Sequence, residues 1–127
     1  MNSLKGKIAL ITGSARGLGK AIAERYAALG ADIVLNYSRD KVAADETVSN
    51  IEAMGKIDIV VANAGIELVE TPVTAFTEEQ FDHVFSINTK GSYFTMQQGA
   101  KHMVGARRPP AISSTSCPRR SATAVSP

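Results

Sequence analysis

The segment Thr12-Gly13-Ser14-Ala15-Arg16-Gly17-Leu18-Gly19 places three glycines where a loop can wrap around an anion. Gly13 permits a tight turn, Gly17 leaves room for a pyrophosphate to approach the backbone, and Gly19 lets a following helix sit close to the preceding strand. If a helix opens here, its first N–H groups, that of Leu18 among them, lack intrahelical acceptors and point at the anion with the positive end of the helix dipole behind them. Arg16 adds a cation beside the same loop. A glycine pattern alone is weak evidence, so its weight depends on the elements that flank it.

Those elements are of the right kind. Lys7 to Thr12 is a short apolar, partly β-branched run that suits a buried parallel strand. From Leu18 the apolar residues Ile22, Tyr26 and Leu29 recur at helical spacing as one buried stripe, and Gly30 supplies a stop. Asp32 to Asn36 reads as a second strand, which completes a βαβ unit with parallel, adjacent strands. Residues 40–54 are expected to be helical, with Val42, Val48, Ile51 and Met54 on one side, and Ile57 to Ala62 to be a third strand. Thr77-Glu78-Glu79-Gln80 has the form of a capping box opening a long helical region. Phe81, Val84, Phe85, Tyr93, Phe94, Met96 and Met103 are expected to form its core face, with a bend around Asn88 to Gly91.

Two further motifs stand in order behind the glycine loop. Asn63-Ala64-Gly65 follows the third strand directly, and Ile87-Asn88-Thr89-Lys90-Gly91 lies in the helical region. Together with the spacing Thr-Gly-x-x-x-Gly-x-Gly, they resemble the short-chain dehydrogenase/reductase family. With Asn36-Tyr37-Ser38 and Phe81-Asp82-His83-Val84-Phe85 the resemblance is greatest to fungal hydroxynaphthalene and versicolorin reductases. It covers residues 4–103. It implies a Rossmann-like α/β fold, a doubly wound parallel sheet, here incomplete for want of the C-terminal half. It also implies a nicotinamide cofactor held by Gly13, Arg16, Gly17, Leu18, Gly19, Asn36, Ser38, Arg39, Asn63, Gly65 and Lys90, and a small carbonyl or alcohol substrate.

Charge selects the form of the cofactor. An acid at the end of the second strand holds the ribose 2′-OH in NAD enzymes and would repel a 2′-phosphate. The strand here ends in Asn36, while Arg16, Ser38 and Arg39 offer cationic and hydroxyl donors nearby, so NADP(H) is the expected cofactor.

The family's proton chemistry is less well represented. Asn88 matches the family's catalytic Asn, and Ser114 stands about where its catalytic Ser belongs. The strand that should present Ser114 is expected to be damaged, because Arg107-Arg108-Pro109-Pro110 replaces an apolar run and proline cannot join a sheet interior. A Tyr-x-x-x-Lys pair is due some twelve or thirteen residues after that Ser, at Ser126 or Pro127, and is absent. Tyr37 and Lys41 have the spacing but lie at the end of the second strand, on the adenosine side, and their match is read as coincidence. The resemblance also implies an internal loss, since family members place roughly 30 residues, a strand and a helix, between the equivalents of Gly55 and Lys56. A right-handed return from the second strand to the strand at 57–62 must then carry helix 40–54 to the sheet face opposite helix 18–29.

Composition sets the outer bounds. The 127 residues carry a net charge of +2, too little to argue for nucleic acid, and no apolar run is long enough to cross a bilayer. The lone Cys117 has no partner for a disulfide, no His/Cys cluster has metal-ligand spacing, and a cytoplasmic location is expected. Residues 1–103 are expected to form a partial NADP-binding domain. Residues 104–127, with four of the five prolines, five serines and no acid, are expected to be a disordered tail. This break, together with the internal loss, leads us to expect an altered reading of a longer family gene. Function then divides between an NADP(H)-dependent oxidoreductase with catalysis lost in this chain and a non-catalytic nucleotide-binding or subunit-interaction protein. The oligomeric state is left open.

Overall fold

The computed structural model describes residues 3–36, 49–68, 70–105 and 111–114, the last four by backbone alone. Four strands form one parallel sheet: β1 (Ile8–Thr12), β2 (Asp32–Asn36), β3 (Ile59–Ala62) and β4 (Ala111–Ser114), in the order β2-β1-β3-β4. Helix α1 (Gly17–Ala28) joins β1 to β2, and a helical segment over 49–54, here α2, precedes β3; residues 40–48 of the helix expected over 40–54 lie outside the described residues. Beyond β3 come α3 (Glu78–Phe85), a π-helical turn over Ser86–Gly91, and α4 (Ser92–Gly105). Thr77 caps α3 as the sequence predicts: its hydroxyl accepts from the Gln80 N–H at 3.2 Å, and the Gln80 side-chain Oε1 accepts from the Thr77 N–H at 2.9 Å. The π turn falls on the predicted bend.

Parallel strands bury both faces, and β1 and β3 do so almost completely: Ala9, Ile11, Val60, Val61 and Ala62 are shut off from solvent. Alternation divides their side chains between two cores. On one face Ile11 and Val61 meet Ala23 of α1, with Ile22, Tyr26, Ile33 and Ile59 around them. On the other, Val60 meets Met103 of α4, with Ile57, Leu10 and Ile51 of α2. Helix α2 therefore lies opposite α1, as the right-handed return from β2 past β1 to β3 requires. At the foot of the sheet the Asp58 carboxylate accepts from the Ile8 N–H at 2.9 Å and pairs with Lys56 at 3.1 Å, which ties the start of β3 to the start of β1.

Three expectations are corrected. The aromatic stripe of α3 and α4 is not core: Phe81, Phe85, Tyr93 and Phe94 are all exposed, with Phe81 and Phe85 stacked on each other at 4.2 Å. The stripe that meets the sheet is Ser92, Gly99 and Met103. Leu18, expected in the buried stripe of α1, is half exposed, and Gly19 and Ala23 take the inner positions. The strand bearing Ser114 also forms. Ala111 to Ser114 pair in register with Ile59 to Ala62 of β3, and Pro109 and Pro110 lie outside the described residues. The rest of 106–127 lies outside the described residues.

Gly99 explains how close α4 comes to β3. A Cβ there would stand 2.7 Å from Val60 Cγ2, so Gly99→Val is expected to lower stability by about 1–3 kcal/mol in urea unfolding. Gly105→Ala, with open space around the new methyl, is the control and is expected to change little.

Candidate dinucleotide site

The carboxyl ends of β1, β2 and β3 converge on the glycine loop, where an open α/β sheet places its ligands. Thr12, the last residue of β1, organises this edge. Its Oγ1 accepts from the Asn63 and Ala64 N–H groups, both at 3.0 Å. The Asn63 side-chain amide in turn donates to the carbonyls of Thr12 and Gly13, both at 3.1 Å. Ser14, buried, donates from its N–H and its hydroxyl to the Asn36 carbonyl at 3.3 and 3.4 Å, which ties the loop to the tip of β2.

Two of the glycines are required by these contacts. Gly13 has φ of +64°, and a Cβ on it would stand 2.9 Å from Ala64 Cα. A Cβ on Gly19 would overlap the Asn63 side-chain nitrogen and the Gly13 carbonyl. The start of α1 is thereby drawn against the ends of β1 and β3. Gly17, with φ of +60°, opens the helix, no acid lies in the first turn, and the Arg16 side chain makes no capping bond. The first N–H groups and the positive helix end are thus left for an outside anion, flanked by the exposed Arg16. The residues present fit a dinucleotide's pyrophosphate.

On the other side of β3, Asn88 projects from the π turn. Its Oδ1 accepts from the Ile66 N–H at 2.8 Å and its Nδ2 donates to the Ile66 carbonyl at 2.7 Å, so the turn holds the segment that follows Asn63-Ala64-Gly65. Gly65 lies against it: a Cβ there would stand 3.3 Å from Asn88 Oδ1. Ser114 ends β4 in register with Ala62, one residue before Asn63. Lys90 is exposed on the π turn. The structure therefore brings Gly13, Arg16, Gly17, Leu18, Gly19, Asn36, Asn63, Gly65, Asn88 and Ser114 to one edge of the sheet. Ser38 and Arg39 lie outside the described residues. Sequence reasoning missed Thr12 as the organiser; it assigned Asn63 to the cofactor, and the structure shows in addition that the Asn63 side-chain N–H groups donate to the loop carbonyls. The available signal was that Thr-Gly and Asn-Ala-Gly end adjacent strands.

Among the described residues no group of three His, Cys, Asp or Glu side chains is placed to hold a metal ion, and no helix is long and apolar enough to cross a membrane. The family model for short chain dehydrogenase matches two overlapping stretches, residues 7–54 and 39–119. The chain belongs to the short chain dehydrogenase family.

A hydroxynaphthalene reductase-like protein of Metarhizium guizhouense is 36% identical over 129 residues, which take in 80% of this chain and 48% of that protein. Among solved structures, the short chain dehydrogenase of Mycobacterium paratuberculosis bound to NAD is 28% identical with a TM-score of 0.74 over 88% of this chain and 56% of that one. A metagenomic short-chain oxidoreductase in complex with NADP is 27% identical with a TM-score of 0.70, over 91% and 63%. The chain spans about half the length of the curated relatives it matches. Within the aligned stretch it is also shorter: 80% of 127 residues is about 102, so the Metarhizium protein carries about 27 residues more. Residues 39–54 belong to both stretches matched by the family model.

Because Asn88 satisfies both polar groups of Ile66, Asn88→Ala is expected to leave them unpaired at a cost of about 1–3 kcal/mol. Chemical denaturation measures that loss. Asn88→Asp, which keeps the acceptor for the Ile66 N–H, is expected to lose less.

Proposed function

We propose that this chain is the cofactor-binding part of an NADP(H)-dependent carbonyl or alcohol oxidoreductase, acting on small molecules of secondary metabolism in the cytoplasm. In this reading the 127-residue chain holds the dinucleotide without turning it over. The observation that carries it is the start of α1: a positive helix end with no acid in its first turn, held against β1 and β3 by Thr12 and Asn63. Gly17, Leu18 and Gly19 offer backbone N–H groups to the pyrophosphate, and Gly13, Asn63 and Gly65 shape the loop that admits it. Asn36 at the tip of β2 presents no carboxylate to a 2′-phosphate, and Arg16, with Ser38 and Arg39 of the following segment, supplies the opposing donors. Lys90 is assigned to the ribose side of the same cofactor.

The nicotinamide would supply or accept the hydride. Asn88 and Ser114 are assigned to the substrate side, Asn88 because it fixes the Ile66 segment and Ser114 from its place at the end of β4. Neither has a pKa suited to moving the proton that must accompany hydride transfer near neutral pH. A second reading, a nucleotide-binding partner in a subunit assembly, is supported by the exposed stacked pair Phe81–Phe85 on α3.

Calorimetric titration at low salt tests the cofactor assignment. NADPH is expected to bind about tenfold or more tightly than NADH, as one added charge-assisted contact would give, and the preference is expected to shrink in Arg16→Ala and in Arg39→Ala. Equal affinities, or a preference untouched by either substitution, would overturn it. NADPH oxidation with quinones is expected to stay at the level of a Gly19→Val control, and turnover above that level would restore an active enzyme.

A further inference from the structure

A dinucleotide of the proposed kind is gripped at two places on two different segments. Its pyrophosphate belongs on the glycine loop after β1, and the adjoining ribose with its 2′-phosphate belongs at the tip of β2. A ligand that bridges two subsites gains affinity only as far as the protein already holds them at the right separation. The β1–β2 ladder sets that separation up to its last pair, Thr12 with Asn36. Past this pair Gly13, with φ of +64°, turns the chain, and Ser14 is the residue that bonds back to the end of β2.

Ser14 differs from its neighbours in the loop. It is 3% exposed, whereas Ala15, Arg16, Gly17 and Leu18 are all exposed. Its N–H and its hydroxyl donate to one acceptor, the Asn36 carbonyl, at 3.3 and 3.4 Å. A carbonyl oxygen has two lone pairs, so the two bonds triangulate the end of β2 against the loop where a single bond would leave a hinge. Being buried, Ser14 acts through β2 and not by touching the ligand. The 2′-phosphate is the group most sensitive to the span, because its donors come from both sides: Arg16 stands on the loop, and Ser38 and Arg39 follow Asn36 in the chain. An unphosphorylated ribose lacks the charge that those donors share. Resting on the NADP(H) reading above, we propose that Ser14 is a positioning residue that fixes the span from the glycine loop to the tip of β2 and thereby sets the preference for a 2′-phosphate.

Calorimetric titration of the full chain with NADPH and with NADH separates a positioning role from a merely structural one. In Ser14→Ala, NADPH is expected to bind about fivefold to tenfold more weakly while NADH stays within about twofold, so that the preference nearly disappears. Ser14→Cys, close to serine in shape but a weaker donor, is expected to lose the preference in part, and it supplies the comparison should the alanine variant fail to fold. Equal losses for the two cofactors would mean that Ser14 only stabilises the loop. A preference that survives both substitutions would mean that the span is set elsewhere. Either result would overturn the inference and leave the NADP(H) reading intact, whereas no binding, or no preference, in the unsubstituted chain would overturn that reading and this inference with it.

Discussion

The functional edge depends on one junction, the reciprocal bonding of Thr12 and Asn63. Two parallel strands that end side by side present loose N–H and C=O groups at their carboxyl ends, and such groups cannot be left unpaired where the chain is buried. The Thr12 hydroxyl takes two of the N–H groups that follow β3, and the Asn63 amide takes two of the carbonyls that end β1. Each strand end thereby caps the other. With Asn63 in place, Gly13 and Gly19 can carry no side chain, and that absence is what lets the first turn of α1 come forward as an anion site. Ser14 extends the same arrangement to β2, and Asn88 extends it through Ile66 to the π turn.

Handedness is the second constraint, and it governs how a shortened member of this family still closes its core. Among the described residues no strand stands between β2 and β3, and a right-handed connection that returns past β1 reaches β3 from the other face, where Ile51 of α2 packs with Leu10 and Val60 beside α4. Both faces of β1 and β3 stay buried. The deficit is confined to the β2 side, where Leu35 is uncovered. The interior strands thus keep the edge that carries the Thr12–Asn63 junction, and the shortening falls on the margin of the site.

Much of this was legible in the sequence because it is local. The glycine loop, the Thr77–Gln80 capping box, the bend at Asn88 and the strand-helix-strand order depend on turn chemistry and short-range periodicity, and even the side taken by α2 follows from connection length and handedness. The failures were of tertiary choice. Periodicity in α3 and α4 marks an apolar stripe, but it does not say which stripe meets the sheet. Gly99, which allows α4 to approach Val60, and the buried Ser92 score as poor core candidates, while Phe81, Phe94 and Tyr93 score as good ones and are exposed. The strand ending in Ser114 was misjudged because Arg107-Arg108-Pro109-Pro110 dominated the reading, while Ala111 to Ser114 pair with β3. The role of Asn63 was invisible because its partners are backbone carbonyls about 50 residues away.

The central claim is that the edge organised by Thr12 and Asn63 binds a dinucleotide. Amide chemical-shift mapping of the isotopically labelled chain during titration with NADP addresses it most directly. The account predicts saturable shifts confined to the amides of residues 13–19, 36 and 63–66, with those of α3 and the outer face of α4 unmoved. Saturable shifts centred on α3 and α4, with residues 13–19 silent, would contradict it.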